Sequence, residues 1–165
     1  MGEKVSTDNP AMLEFWFDFA SPYSYLAASR IEDLISSAPL KLVWKPFLLG
    51  PIFKRRASNS SPFQEAGPDE RRYRRRDVER LCEMYRLPLL WPSNYPRGSL
   101  LATRVALIAA AEGWCGTFAR AIFKANFAED QNIGSEVVIT DILNVLRRDA
   151  GEIVAKAALA RSRIE

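Results

Sequence analysis

The chain contains no histidine. That removes serine–histidine and cysteine–histidine nucleophile pairs, histidine-bound zinc and imidazole acid–base work from the chemistry open to it. Cysteine is nearly as scarce. Cys82 and Cys115 stand far apart, with neither a CxxC pair nor metal-ligand spacing, so a redox dithiol is excluded and no metal is expected. No long apolar run exists either: the longest, residues 105–111, is far too short to span a bilayer. The first nine residues are polar and carry no signal-peptide core. A soluble, cytoplasmic protein without a membrane partner is the expectation. Nor does one sign of charge dominate: 23 Lys and Arg face 20 Asp and Glu, a net charge of +3 that does not mark a strong polyanion binder. What remains for chemistry is hydroxyls, carboxylates, Lys and Arg, backbone amides or a borrowed cofactor.

A length of 165 residues suits one domain, or one domain carrying a large insertion. Residues 12–19 are aromatic-rich and read as a strand. Ser21-Pro22 then opens a helix predicted to run to about residue 37, with serine as N-cap and proline in the first turn. Residues 40–44 alternate as a second strand, giving a parallel, right-handed βαβ unit over residues 11–46. The second part, residues 47–165, begins with a long loop-like segment over 47–69 and continues as helices. These are predicted at about 69–86, 99–113, 117–129, from 135 towards Gly151, and 152–163. Two strands do not make a stable sheet alone, so the aromatic strand needs cover from the helices or from another chain.

The stretch Phe17-Asp18-Phe19-Ala20-Ser21-Pro22-Tyr23-Ser24-Tyr25-Leu26-Ala27 resembles the opening of 2-hydroxychromene-2-carboxylate isomerases. These are relatives of kappa-class glutathione transferases within the DsbA-like thioredoxin superfamily. Three further stretches agree in order and spacing: residues 45–54, from Lys45-Pro46-Phe47 to Lys54, residues 76–81, and residues 87–96 around Asn94-Tyr95-Pro96. The resemblance implies an α/β, thioredoxin-like βαβ with a large all-helical insertion. It also implies a C-terminal ββα half with a cis-proline segment, which does not appear in this sequence.

Ser21-Pro22-Tyr23-Ser24 occupies the place where thioredoxin-like oxidoreductases keep Cys-x-x-Cys. A hydroxyl at a helix start cannot exchange disulfides, but it can stabilise a bound thiolate. The resemblance implies glutathione as cofactor, Ser21 as the catalytic and glutathione-binding hydroxyl, and Asn59 as a further glutathione contact. It implies a small aromatic carboxylate as substrate, met by Lys54, Asn94 and Tyr95, and reversible thiolate addition as the reaction. A homodimer is expected. The bland alternative is that Ser21 only caps its helix. A second alternative is a truncated, impaired relative acting as a binding or self-associating module. The run Arg71-Arg72-Tyr73-Arg74-Arg75-Arg76 suggests nucleic-acid binding, but neighbouring carboxylates at helical spacing favour a solvated, ion-paired face, and no nucleic-acid partner is expected.

Overall fold

The computed structural model describes residues 10–55 and 66–159. β1 (Ala11–Phe17) and β2 (Leu40–Pro46) lie side by side as a two-stranded parallel sheet, with Phe15 opposite Trp44 and Phe17 opposite Pro46. Between them come α1 (Pro22–Ala28) and α2 (Ile31–Ile35). After β2 follow α3 (Leu49–Arg55), α4 (Pro68–Tyr85), α5 (Leu100–Ala111), α6 (Cys115–Phe127), α7 (Glu136–Val145) and α8 (Ala150–Leu159). The βαβ-then-helices order predicted from the pattern is what the chain adopts. Among the described residues no helix is long and apolar enough to cross a membrane.

Three local expectations are corrected. The single helix predicted over 22–37 breaks in two at Ser29-Arg30. Ser29 Oγ donates to the Tyr25 carbonyl at 2.8 Å, four residues back, which competes with continuation of the helix. Arg30 leaves the helical region and lays its guanidinium 3.4 Å above the Tyr85 ring. Secondly, the segment 47–69 is not all loop, because it contains α3. Pro51 sits in the first turn of that helix, where its missing N–H costs nothing. Thirdly, β1 ends at Phe17 instead of 19, since Ser21 N–H closes a turn onto the Asp18 carbonyl at 3.0 Å.

Alternation along β1 decides where the core lies. Leu13, Phe15 and Phe17 turn inward, while Met12 and Trp16 remain exposed on the other face. The inward side meets α6, whose Phe118, Ile122, Phe123 and Phe127 recur at helical spacing and are all buried. Phe17, Phe19 and Phe123 form a cluster with ring centroids 5.1–5.9 Å apart, and Tyr25 stacks on Phe127 at 5.4 Å. This cluster fixes the end of β1 and the turn after it against the helical part. Trp44 is half-buried and packs against this core; Phe47 is half-buried as well.

The cationic run of α4 is tied down along its own helix. Arg74 pairs with Glu70 at 2.6 Å, Arg75 with Glu79 at 3.3 Å, and Arg76 with Glu79 and Glu83 at 3.3 and 3.1 Å. The ion-paired face predicted from the spacing is therefore present.

Candidate active site

The turn from Asp18 to Ser24 is built by its own polar side chains. Ser21 is the N-cap of α1, and its Oγ accepts from Ser24 N–H at 3.3 Å. Ser24 Oγ in turn accepts from Asp18 N–H at 3.3 Å. The Ser21 hydroxyl proton meets no acceptor among the described residues, and the residue is half-buried. It is a capping oxygen with a donor left over. Because α1 has only seven residues, the axial dipole behind it is that of a short helix, less than the predicted 16-residue helix would supply.

Asp18 underlies this turn. It is 4% exposed and accepts three hydrogen bonds: from Ala20 N–H at 2.7 Å, from Leu49 N–H at 2.7 Å, and from Ser99 Oγ at 3.5 Å. Leu49 begins α3 and Ser99 precedes α5, so one carboxylate joins the β1–α1 turn to the starts of two other helices. Burial holds the Asp18 carboxyl above the usual range, opposed by the hydrogen bonds from Leu49, Ala20 and Ser99. Ser99 holds the N-cap position of α5, yet its side chain makes no cap bond and donates to Asp18.

A second layer comes from the connector between α4 and α5. The Tyr95–Pro96 peptide bond is cis. Tyr95 packs edge-on to Trp91 with centroids 5.7 Å apart. Burial raises its phenol well above the ordinary value, and the neighbouring Asp18 and Tyr23 raise it further. Tyr95 thus lies within electrostatic reach of Asp18 and Tyr23, on either side of Ser21. Tyr23 itself donates to Asp77 Oδ2 at 2.9 Å, and burial together with that carboxylate pushes its phenol up to about 12. Both phenols are neutral at physiological pH.

A third layer supports the backbone from behind. Asn126 Nδ2, fully buried on α6, donates to the Phe19 carbonyl at 3.0 Å. Its Oδ1 accepts from Arg97 at 3.2 Å. Arg97 is buried too, donating also to the Gln131 carbonyl at 2.8 Å and pairing with Asp130. Asp130 accepts from Ser93 N–H at 2.8 Å, and that bond and Arg97 hold its carboxyl below the usual range.

The predicted site residues divide. Tyr95 lies within electrostatic reach of Asp18 and Tyr23, which stand on either side of Ser21. Asn94, beside Tyr95, is exposed, and Lys54 is exposed in the last turn of α3. Among the described residues no hydrogen bond or ion pair joins either of them to the Ser21 turn. Lys54 lies five residues beyond Leu49, about 7.5 Å along the helix from the Asp18 contact. Asn59 lies outside the described residues. Asp18, Arg97, Ser99 and Asn126 were not foreseen. The signal for Asp18 was available: an ionisable residue between two phenylalanines at a strand end. Asn126 also left a trace, as a polar residue on the apolar stripe of α6. Arg97, in an irregular connector, left none. The two cysteines are buried, and burial raises both thiols, Cys115 to about 12, so neither serves as a nucleophile.

Comparison with known proteins bears on this arrangement. A curated 2-hydroxychromene-2-carboxylate isomerase of Pseudomonas putida is 31% identical over 84 residues, covering 51% of this chain and 41% of that protein. One from Sphingobium xenophagum is 30% identical over 83 residues, covering 50% and 42%. The matched stretch thus spans about two-fifths of these relatives. Among solved structures, that of a 2-hydroxychromene-2-carboxylate isomerase superposes with a TM-score of 0.79 at 21% identity, over 90% of this chain and 72% of the other. A probable DsbA oxidoreductase from Streptomyces coelicolor follows with a TM-score of 0.68 at 17% identity, over 89% and 67%. Those two likenesses establish the fold. Residues 12–163 match the DSBA-like thioredoxin domain, nearly the whole chain, and the protein belongs to that family.

Proposed function

We propose that the chain is a glutathione-dependent isomerase of the 2-hydroxychromene-2-carboxylate type, with Ser21 as its catalytic hydroxyl. The observation that carries this reading is the Ser21 O–H, which meets no acceptor among the described residues, on a turn whose Asp18 and Tyr23 lie within electrostatic reach of Tyr95, some seventy residues on. The names of the matched relatives support the same reaction class.

The residues present fit a thiol cofactor. A serine hydroxyl at a helix start offers one hydrogen bond to a sulfur anion, and no cysteine stands nearby to divert the chemistry into disulfide exchange. Glutathione, when bound, supplies a sulfur nucleophile that adds to the conjugated, ring-opened substrate and leaves again after bond rotation. The chain's own part is to stabilise the sulfur charge and hold the substrate. Ser21 Oγ donates; Tyr95 walls the site and offers a neutral phenol; Lys54 and Asn94 meet the substrate carboxylate; Asn59 adds a contact to the cofactor. A cytoplasmic homodimer completes the proposal.

The test is a glutathione titration by calorimetry, followed by turnover of 2-hydroxychromene-2-carboxylate. Ser21→Ala is expected to slow glutathione-dependent turnover about a hundredfold or more, the cost of losing one charge-stabilising donor. Native chain that binds no glutathione refutes the proposal. So does a Ser21→Ala variant of unchanged rate.

A further inference from the structure

The sheet ends at β2, whose outer margin pairs with no other described strand. Pairing with β1 decides which backbone groups face that margin. Phe47 N–H donates to the Phe17 carbonyl at 3.0 Å, and the register sets Leu13 opposite Leu42 and Phe15 opposite Trp44. A strand residue sends its N–H and C=O to the same side, and successive residues alternate. Lys41, Val43 and Lys45 thus direct theirs to β1. Leu42 and Trp44 direct theirs outward, and Pro46 has no N–H to offer.

A groove of about 1240 Å³ follows this margin, lined by every residue from 41 to 48. It is larger than the roughly 300–1,000 Å³ of a small-molecule pocket. None of Asp18, Ser21, Tyr23 or Tyr95 borders it, so it is separate from the candidate active site. Its two walls differ. Trp44, Leu107, Ala110 and Cys115 give an apolar wall beneath the end of α5 and the start of α6. Lys41, Lys45 and Arg55 give a cationic one.

The charges on the groove do not all cancel. Lys45 pairs with Glu14 at 3.3 Å, Glu32 with Arg120 at 2.5 Å, and Glu112 with Lys156 at 3.9 Å. Lys41 and Arg55 form no ion pair with another described residue. Among the described residues, an unpaired strand margin, an apolar wall on one side and two cations without an ion partner on the other define what fits. An added strand turns alternate side chains to opposite walls.

We propose that the β2 margin binds an extended peptide segment of a partner protein, added as a third strand, in which acidic residues alternate with apolar ones. The acidic set meets Lys41 and Arg55; the apolar set meets Trp44, Leu107 and Ala110. A second copy of the chain fits poorly, because margin-to-margin pairing would bring Lys41 and Lys45 against their own images. Only Leu42 and Trp44 offer outward N–H groups, so the segment is short and exchange is fast.

The test is a titration of the full chain, labelled with nitrogen-15, by a capped octapeptide of alternating Glu and Val, with the Lys and Val counterpart as control. The expected result is saturable shifts at the Leu42, Trp44 and Ala110 amides with the acidic peptide and none with the basic one. Lys41 and Arg55 are on exposed positions, so a Lys41→Glu, Arg55→Glu variant should fold. It is expected to reverse the preference, weakening the acidic peptide and strengthening the basic one by about tenfold each. Absence of shifts, an equal response to both peptides, or an unchanged preference in the variant overturns the proposal. Concentration-dependent self-association that broadens the Leu42 and Trp44 amides overturns it in favour of a second copy.

Discussion

Replacing Asp18 tests the physical account of the turn most directly. Asp18→Ala leaves the Ala20 and Leu49 N–H groups without their acceptor, each in a part-buried position. An orphaned buried amide costs about 1–3 kcal/mol, so the pair costs about 2–6 kcal/mol. Relief of the buried carboxylate offsets part of this, because burial disfavours its charged form. A net loss of about 2–4 kcal/mol follows. Asp18→Asn keeps one carbonyl oxygen but turns an NH2 toward the other amide, so it loses about half as much.

The pH dependence gives a sharper check than either magnitude. The folded-state pKa of Asp18 lies above the ordinary value of 3.8, so the folded chain binds its proton more tightly than the unfolded chain. Stability from this group is greatest at low pH and declines as pH rises through the folded pKa. Asn does not titrate, so the stability gap between native and Asp18→Asn chains is expected to narrow from about pH 4 to pH 7. Urea unfolding followed by far-ultraviolet circular dichroism at several pH values measures it. A gap that widens with pH, or an Asp18→Ala chain as stable as the native one, refutes the reasoning.

Other substitutions probe the same framework. Arg97→Ala removes the donor shared by Asn126, Gln131 and Asp130. It should lower stability by about 1–3 kcal/mol in chemical denaturation. Hydrogen exchange at the Phe19–Ser21 turn should rise at the same time. Phe123→Ala cuts into the cluster of Phe17, Phe19 and Tyr25 at a site 1% exposed. A loss of about 3–5 kcal/mol in the same unfolding experiment is expected. Arg86 ends α4 in the left-handed region at φ 55°, with its N–H and that of Leu87 closing onto α4 carbonyls. Arg86→Gly relieves that strain and should raise stability by up to about 1 kcal/mol, read as a higher Tm.

The fold was legible where one local rule decided the outcome. Aromatic alternation marked β1, Ser21-Pro22 marked the start of α1, and glutamates spaced three or four residues from arginines marked the paired face of α4. It was illegible where side chains compete with the backbone or act over long range. The helix ends where Ser29 doubles its bond to the Tyr25 carbonyl through its hydroxyl and Arg30 N–H shortens to the Ala27 carbonyl, neither of which apolar periodicity registers. Ser99 has the residue type of a cap and spends its oxygen on a carboxylate 81 residues earlier in sequence. The site followed the same rule. Ser21 is a candidate from its immediate neighbours, and Tyr95 through resemblance, but Asp18 and Asn126 hold the turn through partners that only the folded chain supplies.

That difference has a consequence for how the two parts of the sequence relate. A boundary at residue 46 separates the strands from most of the helices, yet the support of Ser21 crosses it repeatedly. From α6, Asn126 holds the carbonyl of Phe19; from the connector, Arg97 holds Asn126 and Tyr95 approaches Tyr23; from α5, Ser99 reaches Asp18. Phe17 and Phe19, the last inward residues before the turn, pack on Phe123 and Phe118 of α6. A βαβ unit freed of the helices would expose those rings and leave the Phe19 carbonyl without its buried donor. The Ser21 hydroxyl would then sit on an unsupported turn. The helical part is thus the other half of the turn's framework, because the position of a serine at a strand end is only as fixed as the backbone beneath it.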